Sequence, residues 1–155
     1  MLIDMEKQAY IFGGILTLAN RLQVLGDKLD DHITLKQWLF IAVISKLEQS
    51  APTISEVAKV TGNSRQNVKK MAVLLERQGF VSLMQDEQDA RIVRIHLTPR
   101  CTAYFRDRSG KENEFMASLF DSFDERLTDG LYQGVIRLID NVSRMENALD
   151  EKDRR

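Results

Sequence analysis

Residues 53–98 read TISEVAKVTGNSRQNVKKMAVLLERQGFVSLMQDEQDARIVRIHLT. Thr53 and Glu56 have the spacing of a capping box, in which each side chain satisfies the other residue's free amide at a helix start. Ile54, Val57, Ala58 and Val60 supply that helix's apolar side. Gly62 and Asn63 tolerate the left-handed backbone of a sharp helix end, and Ser64 suits the cap of the next helix. Gly79 closes this second helix. Phe80 to Met84 then suits a strand, and Val93, Ile95 and Leu97 alternate with Ile92, Arg94 and His96 in another. The tip between them, Gln85 to Arg91, holds no apolar side chain beyond Ala90, so it must project into solvent. Helix, turn, helix and hairpin in this order make a winged helix-turn-helix.

On a helical wheel from Ser64 to Arg77, Val68, Met71, Ala72 and Leu75 share one face, while Gln66, Lys69, Lys70, Val73 and Arg77 lie opposite. Arg65 and Asn67 flank that polar side near its start. Amides that read base edges and cations that neutralise phosphates are the side chains a DNA-reading helix needs, and such helices enter the major groove by their N-terminal end. A solvated surface accounts for the polar face equally well until the hairpin is considered. The hairpin favours duplex DNA.

The run from Trp38 to Thr98 resembles the MarR family of bacterial transcription regulators, through Asp86-x-x-Asp89-x-Arg91 in the wing and Leu97-Thr98 opening the next helix. The resemblance extends over nearly the whole chain, because the helices expected before and after also fall where that family has them. It implies a homodimeric repressor or activator on a pseudo-palindromic operator, with Arg91 entering the minor groove. In such proteins the wing aspartates, here Asp86 and Asp89, orient the arginine and brace the hairpin. Two positions depart from the family pattern. Ala90 stands where many relatives carry a second basic residue, and Cys101 where glycine is common.

The chain has 155 residues, 43% of them apolar, enough for one core or for a core shared with a partner. A net charge of -1 argues against nucleic-acid binding taken globally. Distribution reverses this: residues 64–100 hold seven Lys or Arg against four acids, so a basic patch sits on an acidic remainder. One cysteine excludes an internal disulfide, and no apolar run approaches the roughly 20 residues of a membrane span. With no secretory pattern at the N-terminus, the expected location is cytoplasmic.

Upstream, Met5, Ala9, Phe12, Ile15, Leu16, Ala19, Leu22 and Leu25 recur at helical steps, predicting one helix to about Leu29 with Gly13-Gly14 inside it. That glycine pair suits either a close helix approach or a kink. After Asp30, Asp31 and His32, Thr34 and Gln37 repeat the capping-box spacing, and Trp38, Leu39, Ile41, Ala42, Ile44 and Leu47 predict a central helix closed by Ser50-Ala51-Pro52. Downstream, Thr98 caps and Pro99 begins a helix that reaches about Phe123, with a weak point at Ser109-Gly110. Thr128 or Asp129 is the expected cap of the last helix. There Leu131, Val135, Leu138, Val142, Met145 and Leu149 alternate steps of four and three, a coiled-coil seam, before a frayed Asp150 to Arg155.

The expected architecture is mainly α with a small β-hairpin wing. Residues 1–29 and 98–155 form helical dimerisation regions around a winged helix-turn-helix at 30–97. Unmatched amphipathic helices at both ends favour a homodimer, since apolar burial at about 25 cal/mol per Å² adds up quickly.

The sequence shows no phosphate-cradling glycine loop, nucleophile elbow or His-Glu-x-x-His, and Asp30-Asp31 and Asp150-Glu151 lie in polar runs, so an enzyme is not expected. No cofactor and no metal site is expected, because His32, His96 and Cys101 lack ligand spacing. Cys101 near a helix start, beside Arg100, is a candidate redox thiol, with an inert filler as the plainer reading. Phe12, Leu16 and Trp38 are candidates for the wall of a small-effector crevice that the resemblance implies; ordinary core is the plainer reading of all three. The expected DNA contacts are Ser64, Arg65, Gln66, Asn67, Lys69 and Lys70 in the major groove and Arg91 in the minor groove. A helical interaction module using the same basic helix on a protein partner is the competing class.

Overall fold

The computed structural model describes residues 4–47 and 51–154. Among these residues seven helices and one hairpin follow in the order α1 (Asp4–Asp27), α2 (Leu35–Lys46), α3 (Ile54–Thr61), α4 (Arg65–Arg77), β1 (Val81–Gln85), β2 (Val93–Leu97), α5 (Pro99–Asp107), α6 (Ser109–Leu119) and α7 (Glu125–Asp153). The chain divides after Asp107 into two compact units.

Local chemistry sets the helix starts. At α2 the Thr34 hydroxyl accepts from the Gln37 amide at 3.2 Å and Gln37 accepts from the Thr34 amide at 2.9 Å. At α3, Thr53 and Glu56 exchange the same pair of bonds at 3.1 and 2.7 Å. The Ser64 hydroxyl accepts from the Asn67 amide at 3.1 Å to open α4. Gly62, at φ +68°, and Gly79, at φ +78°, take the left-handed backbone that ends α3 and follows α4. Asn63 does not adopt it.

The core gathers around α4. Val68, Ala72 and Leu75 pack with Ile33, Phe40, Ile41 and Ile44, with Val57 and Ala58 of α3, and with Phe80, Val81, Ile95 and Cys101. The hairpin is antiparallel, with Val81 opposite Leu97, Leu83 opposite Ile95 and Gln85 opposite Val93. β1 starts one residue later than expected, because the Phe80 amide still bonds back to the Leu75 carbonyl at 2.9 Å.

Several expectations are corrected. Val60 is 58% exposed, off the buried Val57–Ala58 side, and Leu39 is exposed on α2. No atom lies close to where a side chain on Gly13 or Gly14 would start, so among the described residues neither supports a close approach, and α1 continues through them. The α2 ending predicted at Ser50-Ala51-Pro52 falls partly outside the described residues; the helix ends at Lys46. The helix after the wing stops at Asp107, just before the weak point read in the sequence. α7 is capped by Asp124, whose carboxylate accepts from the Leu127 amide at 2.7 Å. A carboxylate there also meets the positive end of the helix dipole, and Thr128 instead bonds back to the Asp124 carbonyl. The helical run extends to Asp153, beyond the fraying expected from Asp150. Asp30 is not a solvated surface acid: it accepts from the His32 amide at 2.7 Å and from the Tyr104 hydroxyl at 2.5 Å.

Buried and exposed apolar positions of the helix-turn-helix predict unequal costs of truncation. Leu75→Ala, in the packed centre, should lose about 2–5 kcal/mol of unfolding free energy. Val60→Ala, on the wet side of α3, should stay within about 0.5 kcal/mol. Urea denaturation of both variants checks this, and equal losses would contradict the packing.

Candidate nucleic-acid interface

Burial of Val68, Ala72 and Leu75 leaves α4 one way to face. Arg65, Gln66, Asn67, Lys69, Lys70 and Arg77 are all exposed, and Val73 is half-buried among them. Ser64 stands at the helix start with its oxygen engaged by Asn67. Among the described residues, no carboxylate pairs with Arg65, Lys69 or Lys70. Three cations and two amides thus share the first turns of one helix, where the dipole adds its own positive end. Such a surface can receive phosphate and present donors and acceptors to base edges.

The wing places Arg91 at the hairpin tip with a side chain 92% exposed. Asp89 accepts from both the backbone amide and Nε of Arg91, at 3.0 and 3.2 Å. Asp86 works differently. One oxygen accepts from the Gln88 and Asp89 amides at 3.1 Å, shaping the tip, and the other accepts from Arg94 Nε at 2.5 Å. Arg94 also donates to the Ala51 carbonyl at 3.0 Å, so it ties the wing to the segment leading into α3. The Arg94 bond and the two amides hold the Asp86 carboxyl below the usual aspartate range, and Asp86 holds Arg94 above the usual arginine value.

Two contacts are not visible in the sequence. Arg94 reads there only as an outward strand residue, and Glu76 only as one acid in a basic stretch. Glu76 of α4 accepts from the Leu83 amide of β1 at 2.7 Å. Period-2 alternation gives a partial signal for Arg94, and nothing in the spacing marks Glu76.

The other candidates lie elsewhere. Phe12 and Leu16 are 68% and 55% exposed on α1, which corrects the reading of them as core, while Trp38 is half-buried on α2. Cys101 is buried in the core, and its amide donates to the Thr98 hydroxyl at 3.1 Å. A thiol closed to solvent fits the inert filler better than the sensor. His32 is exposed, with Nδ1 3.7 Å from Asp30, and His96 is half-buried in β2. Among the described residues no group of His, Cys, Asp or Glu is placed to hold a metal ion. Among them also, no helix is long and apolar enough to cross a membrane.

No protein-family model matches the chain. A curated relative, the transcriptional repressor MprA of Escherichia coli strain K12, is 25% identical over 114 residues, 72% of this chain. The match spans 65% of that repressor's length. Among solved structures, a MarR protein from Peptoclostridium difficile superposes with a TM-score of 0.78 at 19% identity, covering 94% of each chain. The Staphylococcus aureus MepR–DNA complex gives 0.72 at 20% identity, covering 86% of this chain and 96% of that one.

The Asp86–Arg94 pair has a pH signature. A carboxyl whose folded value is lowered stabilises the wing fully above the unfolded value, near 3.8, and loses that contribution as pH falls through the depressed folded value. Carboxyl-carbon NMR should therefore find Asp86 still mostly ionised at pH 3.8, and Arg94→Gln should move its midpoint back up. A wild-type midpoint at or above 3.8 would contradict the pairing.

Proposed function

We propose, from a fold that is that of the MarR-type winged-helix regulators, that this chain is a transcriptional regulator that binds duplex DNA as a homodimer. The observation that carries the reading is the α4 surface, where Arg65, Gln66, Asn67, Lys69 and Lys70 stand exposed and the cations lack carboxylate partners among the described residues. MprA is a repressor and MepR is a protein solved on DNA, and both likenesses support the same use of this helix. Lys69 and Lys70 take phosphates, Arg65, Gln66 and Asn67 read base edges, and Arg91 reaches a neighbouring minor groove from the wing. Asp86 and Asp89 brace that wing. A regulator of this kind acts in the cytoplasm and needs no catalytic group.

The homodimer rests on apolar faces that lack cover within their own units. Tyr10, Ile11, Phe12, Ile15 and Leu18 are exposed on α1, and the seam Leu131, Val135, Leu138, Val142, Met145 and Leu149 is exposed on α7. A second copy of the chain covers residues 1–29 and 98–155 and holds two α4 helices for successive major grooves, about 10 base pairs apart. Phe12, Leu16 and Trp38 offer the same apolar chemistry to a small effector, but the extent of these faces favours the second copy as their main occupant.

Filter binding at two salt concentrations separates DNA binding from a protein-interaction module, since phosphate contact produces a steep log-log salt slope. Lys69→Ala should weaken binding to all duplexes and flatten the slope by about one unit per protomer, about two for the dimer, whereas Gln66→Ala should relax sequence preference. If both substitutions behave alike, the division of roles is wrong. Sedimentation equilibrium should give twice the chain mass of 17.8 kDa, and a monomer at micromolar concentration would remove the paired-helix reading.

A further inference from the structure

The hairpin has two outer edges, and both are bonded to the helix-turn-helix at the same level. Leu83 of β1 and Ile95 of β2 are opposite one another. The Ile95 amide turns away from β1 and donates to the Pro52 carbonyl at 2.9 Å, just ahead of α3. The Leu83 amide turns the other way and donates to the Glu76 carboxylate at 2.7 Å, in the last turn of α4. An outward amide on an edge strand ordinarily bonds water. Here one such amide is held by the approach to α3 and the other by α4 itself.

We propose that Glu76 is a positioning residue that locks the wing to α4, so that the arginine at the wing tip and the polar face of α4 engage DNA as one rigid unit. The proposal rests on the reading of α4 and Arg91 as the DNA-contacting groups. The Pro52 bond uses backbone alone and Arg94 reaches only the segment ahead of α3, so Glu76 is the side chain through which the link to α4 itself can be altered. Glu76 is well placed to hold the strand. It lies about three turns beyond Arg65, on the side of α4 next to β1, and its carboxylate spans from helix to strand in a single bond. An ionised acceptor makes that bond stronger than a neutral one.

A double-mutant cycle tests the linkage on the full chain. In the wild type, Arg91→Ala removes a contact that the rigid wing delivers. In Glu76→Ala the wing loses its tie to α4, so the added cost of Arg91→Ala on duplex affinity should shrink by about threefold or more. Glu76→Gln keeps an oxygen acceptor and should restore most of the lost coupling. A role confined to fold stability would lower the melting temperature but leave the Arg91→Ala cost unchanged, and such additivity would overturn the proposal. Amide exchange without DNA supplies an independent arm: β1 amides beyond Leu83 and the tip should exchange faster in Glu76→Ala and near wild-type rates in Glu76→Gln. Unchanged tip exchange in Glu76→Ala overturns the linkage. Absence of duplex binding by the wild type would instead overturn the DNA-binding reading, while the exchange arm still decides whether Glu76 holds the wing.

Discussion

Burial of one side of α4 is the constraint on which the molecule depends. Val68, Ala72 and Leu75 recur at helical spacing and are almost wholly closed to solvent, against α2, α3 and the root of the hairpin. A helix so anchored has no freedom to rotate about its axis, because a turn that wetted these side chains would cost several kcal/mol. The opposite side is therefore fixed in water with its cations and amides displayed. The same packing that gives the domain its stability orients the surface assigned to DNA.

The hairpin extends that constraint to a second site. Its root shares the core through Val81 and Ile95, and its edges are tied by Pro52, Ala51 and Glu76. At the tip, Asp86 and Asp89 direct their oxygens to local amides and to two arginines, so a stretch rich in acids presents Arg91 outward. Net charge alone hides this, since the chain as a whole is slightly acidic. Arrangement decides which sign faces a polyanion.

The features legible in the sequence are the local ones. Capping boxes at Thr34 and Thr53, the Ser64 cap and the left-handed Gly62 follow from residues within four positions of one another, and the wing motif lies on a single turn. Val60 is misplaced by periodicity because α3 spans only about two turns, too few for spacing to define the edge of the buried face. The expected cap at Thr128 or Asp129 misses Asp124 because several residues near 124–129 can cap, and the choice depends on where the preceding turn delivers the chain. Arg94 and Glu76 are not legible as contacts: one reaches a carbonyl 43 positions away and the other crosses from helix to strand, and neither distance has a sequence period. Phe12 and Leu16 show the reverse difficulty. Apolar periodicity announces burial, but not whether the cover comes from the same chain.

The most direct test is to titrate the isotopically labelled full chain with a short duplex carrying its own upstream control sequence and to follow each amide by NMR. The largest shifts should fall on Arg65 through Lys70 and around Arg91, with the core of α4 unmoved. Shifts concentrated on other surfaces, with the amides of residues 65–70 unchanged at saturation, would contradict the account.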